Sequence, residues 1–148
     1  MQILFLDFDG VLHPKGAGRA AEHFSRRPML EELLLEAACA DWRVVITSTW
    51  REAYSLAKLR QFFCAPLHTR IIDRTPVLED LDADHLRYRQ IRAWLSKQPQ
   101  VKRWCALDDD REGFPETQGS RVVFTDPDQG LSAANVAALR ALIRASAS

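Results

Sequence analysis

Polar side chains that could do chemistry follow directly on three separate apolar segments of this chain. They are, in chain order, Asp7 and Asp9, Thr47 and Ser48, and Asp108 and Asp109. Carboxylates that gather in one place repel each other unless a cation lies between them, and oxygen ligands without a convergent histidine or cysteine favour Mg²⁺. Such a site suits phosphoryl transfer, in which positioning and charge neutralisation supply most of the catalysis.

The segments that precede these polar groups have the pattern of buried strands in a parallel sheet. The predicted strands cover about residues 3–6, 43–46, 104–107 and 121–124, with a weaker candidate at 70–72, and the predicted helices cover about 28–40, 51–63, 80–98 and 131–143. Strands that alternate with helices predict an α/β fold, a Rossmann-like three-layer sandwich with a mainly parallel central sheet. Ligands bind beyond the carboxyl ends of the strands in such a sheet, so the three polar groups can share one crevice.

Length, charge and cysteine content narrow the class of protein. The 148 residues fit one domain, which we expect to span residues 1–148, and 20 basic side chains balance 20 acidic ones, so no global charge favours nucleic acid or a membrane. The three cysteines are widely spaced without a CxxC pair, which argues against a disulfide framework or a zinc site. No apolar run approaches the ~20 residues of a membrane helix. We therefore expect a cytoplasmic protein with no membrane partner.

The three polar segments together resemble motifs of the haloacid dehalogenase (HAD) superfamily of phosphohydrolases. Residues 6–12, with the sequence LDFDGVL, are similar to its first motif, an apolar strand followed by DxDx(T/V). Residues 44–47 resemble the second motif and residues 106–109 the fourth, and the resemblance covers about residues 2 to 143. The segments STWR, IRAWL, LDDD and GLS also resemble the small HAD domains related to those in bacterial RNA-repair proteins.

The resemblance implies a role for each acid. Asp7 would attack phosphorus and form an aspartyl-phosphate, and Asp9 would protonate the leaving oxygen and later activate water. A carboxylate nucleophile that divides hydrolysis into two steps is chemically sound. The implied Mg²⁺ ligands are Asp7, the carbonyl of Phe8, Asp9 and Asp109. Asp108 would orient water or the basic residue of the site.

The resemblance also implies groups that hold the phosphate. Thr47 and Ser48 would contact the phosphoryl oxygens at the start of a helix, where an anion is favoured. The third motif is one basic residue, for which we favour Arg87, with Arg89 as the alternative, because both begin the helix that precedes the fourth-motif strand. Arginine is always charged and forks onto carboxylate or phosphate. Arg51 could touch a substrate phosphate, or it could form a surface salt bridge.

The spacing of the motifs leaves little room for a cap over the site. Only 37 residues, positions 10 to 46, separate Asp9 from Thr47, and a helix takes many of them. We therefore expect minimal or no cap and an open site, which would admit a large substrate such as a phosphorylated protein or a nucleic-acid end, or be closed by a second subunit in a homodimer. The loop 13–27 could form a basic flap or a solvated surface loop. Its basic residues include Lys15, Arg19, Arg26 and Arg27.

Two ring side chains could also line the site. His13 follows the first polar segment closely, and Trp50 stands at the predicted start of a helix. Trp50 could face the crevice, whereas the other tryptophans of the chain have the neighbours of core residues.

The sequence is compatible with other functions to differing degrees. The aspartyl-phosphate could pass to an acceptor other than water. Dehalogenation is disfavoured because Asp9 would not be needed. A receiver-like phospho-binding module ranks lower, because receivers place a lysine at the end of the last strand and this chain has none there. A non-catalytic HAD-like scaffold is disfavoured by the intact Asp7, Asp9, Thr47 and Asp109.

Overall fold

Five parallel strands form the centre of the protein. The computed structural model describes residues 1–16, 23–80 and 83–145. The strands are β1 (Gln2–Leu6), β2 (Trp42–Ile46), β3 (Ile71–Arg74), β4 (Arg103–Asp108) and β5 (Val122–Phe124). Their order across the sheet is β3-β2-β1-β4-β5, and every pair is parallel. The predicted α/β sandwich is confirmed, and the weak candidate strand is β3 at one edge.

Helices cover both faces of this sheet. They are α1 (Arg27–Leu34), α2 (Trp50–Ala53), α3 (Leu56–Gln61), α4 (Leu86–Leu95) and α5 (Ala133–Ala145). Short 3₁₀ helices lie at Ala37–Cys39, Ala65–Arg70, Arg111–Gly113 and Glu116–Arg121. Among the described residues, the segments between the strands contain helices and no second sheet. In the described chain no helix has both the length and the apolar character needed to cross a bilayer.

The central strand β1 is buried on both faces because its side chains alternate between two apolar cores. Leu4 and Leu6 belong to the larger core, which includes residues of α1, α3 and α5. Ile3 and Phe5 belong to a smaller core that includes residues of α4. The ring of Phe5 meets the ring of Trp94 edge to face, with centroids 5.6 Å apart. The two cores hold the sheet between the helical layers and fix the position of its carboxyl edge.

The predicted helix over residues 51–63 is divided in two. Tyr54 is extended, with φ −126° and ψ 144°, and ends α2. The hydroxyl of Ser55 then accepts a hydrogen bond from the Lys58 amide (3.2 Å) and begins α3. The apolar periodicity continues across the break, so the pattern predicted a single helix. Ser55 is, however, a residue type that commonly caps the start of a new helix. The short α2 keeps Trp50 and Arg51 at the carboxyl edge of the sheet.

The packing of α5 on the larger core provides a test of the fold. Leu139 is 0% exposed, so Leu139→Ala should lower the free energy of unfolding by about 2–5 kcal/mol, measured by urea denaturation. The matched control is Leu35→Ala, since Leu35 is 50% exposed and the expected change is within about 0.5 kcal/mol. Equal effects of the two substitutions would contradict the placement of α5.

Candidate active site

The carboxyl ends of β1 and β4 bring three acidic side chains together. Backbone pairing continues one residue past β1, because the Asp7 amide donates to the Leu107 carbonyl at 3.1 Å. Asp7 therefore stands beside the end of β4, where the chain continues through Asp108 and Asp109. Each of these three acids offers a carboxylate oxygen that lies within 4.8 Å of the other two.

The three carboxylates have too little positive charge near them to balance their negative charge. Asp108 is 1% exposed and Asp7 is nearly as buried. Burial raises the pKa of Asp7 well above its ordinary value, and the charge of Asp108 raises it further, while Arg87 lowers it. Burial also raises the pKa of Asp108 to about 6, against the lowering effect of Arg87. When they are ionised, buried carboxylates this close together favour binding of a divalent cation that prefers hard oxygen ligands. Asp7, Asp108 and Asp109 fit Mg²⁺ and would hold it.

Arg87 on α4 lies against the acids, at the place expected of the third-motif basic residue. Its Nη2 is 3.7 Å from Asp7 Oδ1, and its Nε is 3.2 Å from Asp108 Oδ2. Its Nη1 donates to the carbonyl of Thr47 at the end of β2. One guanidinium thus joins the ends of β1, β2 and β4 and supplies one positive charge against three acids.

Arg89, the alternative basic residue, lies outside the site. Its side chain is exposed, and its Nε donates to the Asp84 carbonyl at 3.0 Å. Residues two positions apart on a helix are separated by about 200°, so Arg87 and Arg89 cannot face the same side. The structure therefore corrects the alternative and leaves Arg87 as the basic residue beside the acids.

Arg51 does not form the surface salt bridge that was one of the two expectations for it. The side chain is buried. Its Nη1 donates to the carbonyls of Thr47 (2.7 Å) and Ser48 (3.0 Å), and its Nε and Nη2 donate to those of Thr75 (2.9 Å) and Pro76 (3.3 Å). Burial, together with the nearby charge of Arg87, lowers the pKa of Arg51 to about 10. Arg51 is therefore a clamp between the loops that follow β2 and β3.

Thr47 and Ser48 stand at the end of β2, as predicted, and both are buried. The Ser48 hydroxyl accepts a hydrogen bond from the Trp50 amide (3.2 Å) at the start of α2. The Ser48 hydroxyl therefore supports the first turn of α2. The backbone carbonyl of Thr47 accepts hydrogen bonds from both Arg51 and Arg87. The buried Arg51 and the half-buried Arg87 thus hold the loop that we expect to face a phosphate.

Asp9 is separate from the group of three acids. Its side chain is 44% exposed, and its Oδ1 accepts hydrogen bonds from His13 Nε2 (2.7 Å) and Trp50 Nε1 (3.1 Å). The carboxylate of Asp9, expected among the metal ligands, is not in the group of acids that could share an ion. Asp108, expected to orient water or the basic residue, does belong to that group.

The Phe8 carbonyl is engaged in hydrogen bonds within the turn that follows β1. It accepts hydrogen bonds from the amides of Val11 (3.0 Å) and Leu12 (2.8 Å). A carbonyl oxygen has two lone pairs, so this oxygen is already satisfied within the turn that follows β1. The geometry therefore favours the carboxylate of Asp108 over the Phe8 carbonyl as a third ligand.

Gly10 lets the first-motif turn approach the fourth-motif acids. Its φ is +76°, and a Cβ at this position would lie 2.3 Å from Asp109 Oδ2. Any side chain here would therefore displace Asp109 and strain the backbone. Sequence reasoning did not assign this role to Gly10, although a glycine directly after a pair of acids indicates a close backbone approach.

The predicted basic flap is only partly described. Arg19 lies outside the described residues. Arg27 is tied to α1 and its neighbours, because its Nε pairs with Glu31 (3.2 Å) and its Nη1 donates to the Phe62 carbonyl (2.5 Å). Lys15 is exposed, and Arg26 donates to the Gln129 carbonyl at 3.2 Å. Arg27 is thus a structural residue rather than part of a flap.

The charge imbalance predicts how stability depends on pH without metal. Folding raises the pKa values of Asp7 and Asp108, so the proton-bound folded state gains stability that is fully present below about pH 4, the pKa of an unfolded Asp. That stability is lost as pH rises through the folded pKa, which is about 6 for Asp108. In EDTA, Asp7→Asn should therefore raise the melting temperature above that of wild type at about pH 7.5, and by less at about pH 4.5.

The control for this comparison is Glu79→Gln, which changes an exposed acid. It should leave the melting temperature close to that of wild type at both pH values. A melting temperature of Asp7→Asn that stays below that of wild type at about pH 7.5 would contradict the charge imbalance.

Gly10→Ala tests the close approach of Asp109. We expect the Mg²⁺ concentration that gives half-maximal thermal stabilisation to rise about 10-fold or more. Disturbing the groups that hold a metal ligand in place typically lowers the affinity for the metal by that much. Gly16→Ala is the matched control, since Gly16 has φ +83° but no atom within 4 Å of an added Cβ. Both variants strain the backbone, so an equal change in Mg²⁺ requirement would refute the displacement of Asp109.

Comparison with known proteins places the chain in a family. The family model described as "HAD domain in Swiss Army Knife RNA repair proteins" matches residues 3–136, a range that contains every residue of the candidate site. Neither the curated proteins nor the solved structures gave a match. The matched range agrees with the parallel sheet and with the acids at its carboxyl edge. The chain belongs to the HAD superfamily, in the family of HAD domains found in Swiss Army Knife RNA repair proteins.

Proposed function

We propose that this protein is a Mg²⁺-dependent phosphatase that hydrolyses phosphoric monoesters through an aspartyl-phosphate on Asp7. The observation that carries the proposal is the position of Asp7. Its carboxylate is buried beside Asp108 and Asp109 and faces the guanidinium of Arg87 at 3.7 Å. A nucleophile beside both a cation site and an arginine is suited to attack on a phosphate, because both positive charges offset the repulsion between two anions.

The proposed reaction has two steps with balanced proton transfers. In the first, a carboxylate oxygen of Asp7 bonds to phosphorus, the bond to the leaving oxygen breaks, and Asp9 gives that oxygen a proton. In the second, Asp9 takes a proton from water, whose oxygen attacks phosphorus and releases phosphate from Asp7. When bound by Asp7, Asp108 and Asp109, Mg²⁺ would neutralise the carboxylates and the charge on the phosphoryl oxygens.

The groups around Asp7 support binding of the phosphoryl group. Arg87 can fork onto phosphate oxygens while it remains next to Asp7. Thr47 and Ser48 end β2 beside it, and the arginine clamp on their carbonyls holds that loop in place before a substrate arrives. A site prepared in this way does not need to reorganise during the reaction.

An open crevice beside Arg87 supports a substrate larger than a simple phosphate. Its volume is about 1300 Å³. The charged residues of its wall are three arginines and five acids, namely Arg51, Arg87, Arg111, Glu52, Asp84, Asp110, Glu112 and Glu116. This volume exceeds the roughly 300–1,000 Å³ of common small-molecule pockets. The family description names RNA-repair proteins. Together these observations support a phosphorylated nucleic-acid end or a nucleotide as the substrate.

Two observations favour this proposal over a non-enzymatic module. A receiver-like domain would need a lysine after its last strand, but Thr125 follows β5, and its hydroxyl donates to the Gly10 carbonyl at 2.5 Å. A non-catalytic scaffold would gain nothing from buried acids whose pKa values are raised by burial.

The decisive test is hydrolysis of 4-nitrophenyl phosphate by purified protein with Mg²⁺ and with EDTA. We expect turnover only with the metal and a loss of about 10³-fold or more in Asp7→Asn, as found when a nucleophile is removed. Asp41→Asn is the matched control, because Asp41 is an exposed acid before β2, at the other end of the sheet. Full activity of Asp7→Asn would refute the nucleophile assignment.

The substrate class is tested with the same protein on phosphorylated RNA oligonucleotides, mononucleotides and phosphopeptides. We expect the highest kcat/KM on RNA ends or nucleotides. A preference for phosphopeptides would contradict the proposed substrate and leave the phosphatase chemistry intact.

A further inference from the structure

Two ring nitrogens hold the carboxylate of Asp9. His13 Nε2 is 2.7 Å from Asp9 Oδ1, and Trp50 Nε1 is 3.1 Å from Oδ1 and 3.3 Å from Oδ2. The imidazole of His13 is buried, with 2% of its side chain exposed, whereas the side chain of Asp9 is 44% exposed. A fixed donor thus holds a carboxylate that would otherwise change rotamer freely at the surface.

The hydrogen bonds of His13 define which nitrogen carries the proton. The backbone amide of Phe24 donates to His13 Nδ1 at 3.2 Å. An amide N–H can only donate, so Nδ1 must accept and carries no proton. The proton of the neutral imidazole is therefore on Nε2, which donates it to Asp9. The Phe24 amide sets the tautomer that makes His13 a donor to the acid.

Phe24 reaches this position with a strained backbone. Its φ is +61°, a left-handed conformation that a bulky residue rarely adopts. Its ring packs against those of Phe8, His13 and Phe62, with centroids 5.6, 5.5 and 4.9 Å away. Strain of this kind persists where the surroundings hold it and concentrates at functional sites. The aromatic packing therefore keeps the Phe24 amide aimed at His13.

We propose that His13 and Trp50 are positioning residues that hold the Asp9 carboxylate for proton transfer to the leaving oxygen. This inference rests on the proposed function, in which Asp9 is the proton donor. Both rings direct a donor at Oδ1, which fixes the plane of the carboxylate and leaves Oδ2 as the oxygen with the weaker contact. Proton transfer depends on such alignment, because the donor must be within hydrogen-bonding reach of the leaving oxygen.

The test compares two esters that differ in their need for a proton. The leaving group of 4-nitrophenyl phosphate departs as a stabilised anion, whereas that of glycerol 3-phosphate needs a proton as it leaves. His13→Leu and Trp50→Phe remove one donor each. We expect kcat/KM, which reports the step in which the ester bond breaks, to fall about 10- to 100-fold with glycerol 3-phosphate and less than about 3-fold with 4-nitrophenyl phosphate, because general acids contribute about 10²–10⁴-fold.

Three further variants separate positioning from a general loss of structure. His13→Gln keeps an N–H donor, so it should recover part of the activity on glycerol 3-phosphate. His68→Gln is the control for His13, because the Nε2 of His68 meets the Phe63 carbonyl at 2.8 Å, away from Asp9. Trp104→Phe is the control for Trp50, since Trp104 lies near the amino end of β4. Both controls should keep the wild-type ratio of the two rates.

A double variant shows whether His13 acts through Asp9. In an Asp9→Asn background, His13→Leu should lower kcat/KM no further, because positions that act as a unit are not additive. Losses that are equal for the two esters, or that add fully to the effect of Asp9→Asn, would overturn the inference. If the wild-type protein hydrolysed neither ester, that result would instead refute the proposed function.

A spectroscopic measurement tests the arrangement without any turnover. In ¹⁵N NMR spectra of the labelled protein, His13 should carry a proton on Nε2 and none on Nδ1. Asp9→Asn should shift the Nε2 signal, and His68→Gln should not. A His13 ring protonated on Nδ1 instead would overturn the inference whatever the enzyme activity.

Discussion

Repulsion among three carboxylates within 4.8 Å of one another is the constraint on which the site depends. The acids cannot separate, because β1 is paired on both sides and its hydrogen bonding to β4 continues to the Asp7 amide. Burial strengthens the repulsion by excluding water. Arg87 offsets part of it, and the remaining negative charge is what a divalent cation would balance. The features that would support the proposed catalysis are thus features that destabilise the metal-free fold.

Two arginines support the loop that follows β2. They share the Thr47 carbonyl as a partner and differ in their other contacts. Arg87 reaches the Thr47 carbonyl from the acidic side and keeps its charge next to Asp7 and Asp108. Arg51 reaches the same carbonyl but contacts only neutral backbone oxygens of the loops that follow β2 and β3. Its guanidinium therefore contributes rigidity, whereas that of Arg87 is available to a phosphate. This division holds the loop in one shape before substrate binds.

Asp7 and Asp9 are two residues apart but occupy opposite environments. Asp7 is buried among other acids, and Asp9 is partly exposed between the N–H groups of His13 and Trp50. Carboxylates in unlike surroundings can take different roles in one reaction. The separation supports the proposal that one acid is the nucleophile and the other transfers protons. Because a tight turn follows β1, the chain needs only one intervening residue to achieve it.

Several features of this protein were determined by its sequence alone. The apolar runs predicted the strands, the alternation of strands and helices predicted the fold class, and the acids after those runs predicted the edge of the sheet that carries the site. Arg87 was identified because it begins the helix before β4. These are local patterns, and a buried strand or an amphipathic helix leaves a periodic signal in a short stretch of sequence.

Tertiary structure alone decided which partners each side chain has. It buried Arg51 among carbonyls and placed Asp108 in the group of acids that could hold a cation. It also engaged the Phe8 carbonyl in a turn and joined Trp50 to Asp9 across 41 positions of the chain. It also divided the helix predicted over residues 51–63. Such contacts depend on the direction and burial of single side chains brought together by folding. They have no period along the sequence, so no local pattern could have predicted them.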